Sequence, residues 1–163
     1  MKKLLVLAVS TLLLVACSGT KDGAELYGAA EGGWNDDVDI TNLSATALTK
    51  KFHKTGADVV YFSFNESSLD SLAKADLQKQ ADWLKENPKA LIVIEGRCDE
   101  RGTREYNLAL GEQRANAARS YLIAKGISSN RIRTISYGKD KPVVLGSDED
   151  AWAKNRSATT VAY

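Results

Sequence analysis

The chain opens on an apolar run. Leu4 to Ala16 holds 13 residues broken only by Ser10 and Thr11, after a short basic start at Lys2 and Lys3. At about 1.5 Å per residue such a helix falls short of a ~30 Å hydrocarbon core, so the pattern predicts a secretion signal over residues 1–16. Residues 18–43 then sustain neither the helical nor the strand period. Gly23, Gly28, Gly32 and Gly33 interrupt them, and Asp36, Asp37 and Asp39 add charge. A flexible tether is expected there, with Tyr27 and Trp34 out of keeping with a plain spacer. Ser44 to Phe52 predicts a short helix leading into a domain spanning 44–163.

From Val59 the periods sharpen. Val59 to Phe64 is β-branched and aromatic, a predicted strand. Asn65 to Ser68 is a turn, and Asp70 or Ser71 can cap a helix to about Glu86. Its inner stripe is expected at Leu69, Leu72, Ala73, Leu77, Ala81 and Leu84. Asn87 and Pro88 stop it. Leu91 to Glu95 predicts a second strand, and Thr103 caps a long helix to about Lys125 with a core period at Leu108, Gly111, Ala115, Ala118 and Leu122. Gly126 ends that helix. A short turn follows over Ser128 to Arg131, then a strand over Arg133 to Tyr137, a loop to Gly146, a short helix over Asp148 to Asn155 and a last strand over Arg156 to Tyr163. The order β-α-β-α-β-α-β predicts an α+β two-layer sandwich, with helices on one face of a mixed four-stranded sheet. A domain of about 105 residues can bury a core without disulfides.

The end of the first run changes the picture. Leu14, Val15, Ala16 and Cys17, followed by Ser18 and Gly19, resemble the bacterial lipobox. That resemblance implies cleavage before Cys17, an S-diacylglycerol on its sulfur and an acyl group on its amine. Three chains would anchor the protein stably without a spanning helix. Ser rather than Asp at position 18 implies the outer membrane, with the domain in the periplasm. Loss of residues 1–16 removes Lys2 and Lys3 and no acid, leaving 20 basic and 21 acidic side chains and a net charge of −1. A chain so balanced carries no electrostatic footprint for nucleic acid. Cys98 is then the sole free thiol, and one thiol makes no internal disulfide.

The densest chemistry follows the second strand, in GRCDERGTRE, Gly96 to Glu105, where six of ten residues are charged. In the next helix Asn107, Leu110 and Arg114 stand three and four apart, on one face. Two readings stand on spacing alone. Asp99, Glu100 and Arg101 can form a solvated loop with weak local ion pairs. Alternatively Asp99 and Arg114 face each other across a gap, a receptor for a zwitterion. Asp99 would take an ammonium, Arg114 a carboxylate, and Leu110 would cover the aliphatic part between them. Catalysis finds little purchase. The single histidine, His53, falls near the tether, far in sequence from Cys98, and no nucleophile elbow, phosphate loop or zinc spacing occurs. Adjacent carboxylates at Asp99 and Glu100 diverge on a turn, which does not suit glycan hydrolysis.

Several spaced motifs resemble the OmpA C-terminal family, in its lipoprotein branch. They are Tyr61, Phe62 and Phe64; Gly96, Asp99, Glu100, Arg101, Gly102 and Thr103; Glu105, Tyr106 and Asn107; Leu110, Gly111, Glu112 and Arg114 to Ala117; Ser136 to Lys139 with Lys141 and Pro142; and Lys154 to Arg156. The resemblance covers about residues 58–163. It implies non-covalent binding of peptidoglycan through the diaminopimelate of the stem peptide, no cofactor, and a partner in TolB and the other Tol proteins. Carried over, Asp99 would accept from the ammonium and Arg114 would clamp the carboxylate. Arg101 and Leu110 would line the site, and Phe64 and Asn65 would close the far wall. Three positions depart from the pattern: Asn65 for the usual Asp, Arg97 for His or another polar residue, and Cys98 for a small residue. Cys98 is expected to be a packed side chain.

Overall fold

The computed structural model describes residues 47–163. The secretion signal, Cys17 and its lipid, the tether with Tyr27 and Trp34, and the first residues of the leading helix lie outside the described residues. The elements run α1 (Ala47–His53), β1 (Val59–Tyr61), α2 (Ser71–Glu86), β2 (Ile92–Arg97), α3 (Arg104–Ala124), a 3-10 turn (Ser129–Arg131), β3 (Ile132–Gly138), α4 (Glu149–Asn155) and β4 (Ser157–Ala162). The three later helices start where short oxygen-bearing side chains can satisfy an orphan amide. Asp70 accepts from the Ala73 N–H at 2.7 Å, Thr103 from Tyr106 at 3.2 Å and Asp148 from Ala151 at 2.8 Å. Asn87 closes α2 on the Trp83 carbonyl with both its backbone and side-chain nitrogens.

The sheet order is β1-β4-β2-β3. β4 is antiparallel to both β1 and β2, and β2 is parallel to β3. The architecture is the expected α+β one with a mixed four-stranded sheet. Ile92, Ile94, Ala158 and Ala162 alternate onto the face that packs against Leu77, Ala81 and Leu84 of α2 and Ala115, Ala118 and Leu122 of α3. From α1, Phe52 enters the same core with its ring 4.8 Å from that of Trp83, and Thr49 donates to the Ala162 carbonyl.

Three expectations need correction. Leu72 is 76% exposed: it neighbours Ala73, and adjacent helical residues point about 100° apart, so only one can face the sheet. Trp83 and Gln80 fill the face instead. Gln80 donates to the Ala57 carbonyl at 2.6 Å and accepts from Thr160 at 2.8 Å. Leu108 is 42% exposed, because the buried face of α3 is centred further round, on Asn107, Gly111, Arg114 and Ala118. The first strand also ends early, at Tyr61. The Phe62 N–H still bonds the Arg156 carbonyl, but the chain then turns and leaves Phe64 exposed.

Two features of β2 aim the segment that follows it. At Gly96 the strand and α3 meet backbone to backbone: a Cβ there would lie 1.9 Å from the Gly111 carbonyl oxygen. One residue on, the register with β3 slips, Gly96 pairing with Ser136 and Arg97 with Gly138. Such a bulge bends and re-aims a strand end. Cys98 then donates its N–H to the Gly138 carbonyl at 2.8 Å, and the chain leaves the sheet with Asp99 directed inward.

Candidate functional site

The turn after β2 is pinned from both sides. Asn107 of α3 donates to the carbonyls of Arg101 (2.8 Å) and Thr103 (2.9 Å). Lys139, just past β3, donates to those of Glu100 (3.1 Å) and Gly102 (2.6 Å). Gly102 takes φ +91°, open to glycine at no steric cost. Asp99 is thereby held as a buried carboxylate. Its Oδ1 accepts from the Arg101 N–H and Nε, both at 3.1 Å, and its Oδ2 from Arg101 Nη2 at 2.7 Å. Arg156 brings a second cation, Nη1 lying 3.5 Å from Oδ2 without a hydrogen bond of its own. Burial alone would push the Asp99 carboxyl up. The hydrogen bonds and charge of Arg101, with help from Arg156, outweigh it and hold the carboxyl below the usual carboxylate value.

Arg114 is 1% exposed. It donates Nε to the Glu66 carbonyl (2.8 Å), Nη1 to that of Arg97 (2.8 Å) and Nη2 to that of Ser63 (3.2 Å). A guanidinium has five N–H donors, so one on each Nη is left by these three bonds. Burial lowers the Arg114 pKa, against the pull of neighbouring Cys98 and Asp99. The side chain is thus a strut tying the turn after β1 to the end of β2, with two donors to spare.

Between these groups lies a cavity of about 110 Å³. Asp99, Arg101, Leu110, Arg114, Phe64 and Asn65 all line it, joined by Cys98, Gly102, Tyr106 and Asn107. The six residues singled out in the sequence therefore share one hollow. Asn65 takes φ +58°, a left-handed backbone that Asn tolerates better than most residues, and its amide oxygen accepts from the Tyr106 hydroxyl. The local Asp99–Arg101 pair of the alternative reading is present, but on a buried carboxylate and not in a solvated loop.

Of the other departures, Arg97 turns away from the cavity and Cys98 lines it as a packed thiol. Arg97 turns its guanidinium onto Glu95 (2.5 Å), Thr159 (3.2 Å) and the Lys141 carbonyl (3.1 Å), and offers the site only its own carbonyl. The Cys98 thiol is buried and donates to the Asn107 carbonyl at 3.3 Å, and burial pushes its pKa up, away from a reactive thiolate. His53 pairs with Asp58 beside α1. Among the described residues no group of three His, Cys, Asp or Glu could hold a metal, and no helix is long and apolar enough to cross a membrane.

Sequence reasoning missed two residues from the far end of the chain. Trp152 of α4 and Phe64 sandwich Arg101, whose guanidinium carbon lies 4.2 and 4.1 Å from the two ring centroids. Trp152 also donates to Glu100 at 3.1 Å. Arg156 joins Asp99 to the Phe62 carbonyl (3.0 Å) and to Glu149 (2.7 Å). Arg156 stood among the motif residues without a role. Trp152, the one aromatic in a short charged helix, was the available signal for the other.

A small hollow at the end of a mixed sheet, bordered by a buried carboxylate and a buried guanidinium, is the feature by which this α+β domain can be compared with others. Residues 61–156 match the OmpA family, and the chain belongs to it. Over 157 residues it is 42% identical to a peptidoglycan-associated lipoprotein of Rhizobium meliloti, covering 94% of this chain and 83% of that one. Over 163 residues it is 39% identical to that of Haemophilus influenzae, covering 99% and 97%. The crystal structure of the peptidoglycan-associated lipoprotein from Burkholderia pseudomallei superposes with a TM-score of 0.63 at 46% identity, over 65% of this chain and 90% of that one.

Proposed function

We propose that this protein is a lipoprotein of the cell envelope that binds peptidoglycan non-covalently and without catalysis. Its domain grips the diaminopimelate of a stem peptide. The observation that carries the reading is the shared hollow: an acid and a guanidinium border one cavity of about 110 Å³, a size for the end of a ligand and not for a whole one. Asp99 receives the ligand ammonium and Arg114 offers its two remaining N–H groups to the carboxylate. Leu110 and Phe64 flank the methylene chain, and Asn65 closes the wall. The carboxylate has about four acceptor sites, three of them taken by Arg101. The ammonium takes the acceptor site on Oδ2 that Arg101 leaves, while Arg101 keeps its place between Phe64 and Trp152 and its bonds to Asp99.

In the same reading, Cys17 carries the lipid that holds the protein in the outer membrane, and residues 18–43 span to the wall. The chain then links membrane to wall within the Tol system, with TolB as a partner, and serves envelope integrity and cell division. The test of the site is co-sedimentation with purified peptidoglycan. Asp99→Asn keeps the shape and removes the charge. Truncating a buried charge partner costs about 2–5 kcal/mol, so binding should fall at least ~30-fold with an unchanged circular dichroism spectrum. Undiminished sedimentation of the variant, or equal binding to lysine-type wall, ends the proposal for this site. Co-purification with TolB and envelope leakage on deletion separate the Tol assignment from that of a lipoprotein of this family acting outside it.

A further inference from the structure

A hollow of about 110 Å³ holds one end of a stem peptide and leaves the rest of a polymer outside. Beside it runs an open groove of about 570 Å³, within the size range of sites that hold whole small ligands. The two are joined through shared elements. Tyr61 to Ser63 line the groove, while the next two residues, Phe64 and Asn65, line the hollow. Arg156 lines the groove and reaches Asp99 in the hollow.

The groove's chemistry is distinct. Tyr61 presents a ring that is 52% exposed. Around it stand Asp70, Asp150 and Lys154, all at the surface. The second oxygen of Asp70 remains after Oδ1 caps α2, and among the described residues neither Asp150 nor Lys154 is in an ion pair. An amphipathic ring with acceptors and a donor at its rim fits a ligand with an apolar face and a hydroxyl edge. That is a pyranose: C–H groups lie on the ring, hydroxyls donate to the carboxylates, and an acetamido carbonyl accepts from the lysine.

Resting on the proposed function above, we infer that this groove is a second subsite, taking an N-acetylated sugar of the glycan strand while the stem peptide occupies the hollow. Binding both parts of one polymer makes the second contact intramolecular and raises the affinity of each. The domain then reads the junction of glycan and peptide and not the peptide end alone.

The experiment is calorimetric titration of the full-length chain in detergent with two soluble fragments: the free diaminopimelate stem peptide, and the same peptide on its disaccharide. The disaccharide form should bind about tenfold tighter. Tyr61→Ala should erase that increment and leave the affinity for the free peptide as it was, and Asp150→Asn should reduce it. Both positions are exposed, so neither change strips the core. Equal affinities of the wild type for the two fragments overturn the subsite, as does an increment that survives both substitutions. A free peptide that fails to bind at all refutes the reading of the hollow instead, so the two failures are told apart.

Discussion

At Gly96 and Gly111 the end of β2 and α3 meet backbone to backbone, and α3 carries two residues of the hollow, Leu110 and Arg114. Gly96 is held on both sides in the sheet, paired with Ser136 of β3 and Ala158 of β4, so it cannot retreat. In Gly96→Ala the new methyl would stand 1.9 Å from the Gly111 oxygen and 2.6 Å from its carbon, both helix backbone. Reaching ordinary contact near ~3.5 Å requires α3 to move off the sheet by roughly 1.5 Å. Overpacking of this kind costs about 1–3 kcal/mol, and a backbone obstacle places it at the upper end. At roughly 4–8 °C per kcal/mol for a domain of this size, the midpoint should fall by about 12–24 °C. The displaced helix carries Leu110 and Arg114, whose positions must hold within about 0.5 Å to bind well. Sedimentation with peptidoglycan at a temperature where the variant stays folded should weaken about tenfold or more. Gly111→Ala differs: its methyl meets the Ser136 hydroxyl at 2.4 Å, which can turn if it gives up its bonds to the Leu108 carbonyl (2.6 Å) and from the Gly138 N–H (3.2 Å), and the Gly96 carbonyl oxygen, at 3.1 Å, must yield only slightly. That loss of about 1–2 kcal/mol is partly offset by a gain of about 1 kcal/mol in helix propensity, so the midpoint should fall by less than in Gly96→Ala. Thermal denaturation of the two variants, with and without Ser136→Ala, decides the matter. A Gly96→Ala protein as stable and as competent to bind as the wild type would refute the close-approach argument.

Leu122→Ala, at a fully buried position of α3, should lower stability by about 2–5 kcal/mol in urea titration and leave wall binding by the folded fraction intact. Arg114→Lys keeps the charge, but a single ammonium cannot reach carbonyls at Ser63, Glu66 and Arg97 together; a loss of about 3 kcal/mol or more is expected, with weakened binding. The Asp99 carboxyl lies below its unfolded value in the folded protein, so its contribution is present above about pH 4 and is lost as pH falls through the folded value. The unfolding midpoint should therefore drop more steeply on acidification in the wild type than in Asp99→Asn. The Cys98 thiol shifts the other way, so its contribution holds below about pH 8.5 and fades as pH rises, and Cys98→Ala should flatten the alkaline side of the same profile.

Whatever depends on neighbours along the chain could be read before any coordinates. Asp70, Thr103 and Asp148 cap helices because a short oxygen-bearing side chain reaches an amide three residues on, a local geometry written in residue type. Leu110 and Arg114 share a helix face because four residues make about one turn, and Asp99 sits at a strand end for reasons equally local. The phase of burial was harder. Leu72 and Leu108 look like core by composition, yet which flank of a helix meets the sheet depends on the partner surface, and Gln80, Trp83 and Asn107 took those places.

The long-range pairings had no local signature at all. The last strand enters between β1 and β2, the bulge at Ser136 to Gly138 shifts the register at the end of β2, and Trp152 and Arg156 return across about a third of the chain to reach Arg101 and Asp99. Arg114 takes its partners from carbonyls at Ser63, Glu66 and Arg97, groups that every residue possesses and no side-chain pattern marks. Residue type and spacing carry the chemistry a site can do. Its enclosure and charge balance come from backbone groups and distant segments, and these meet only when the whole chain packs.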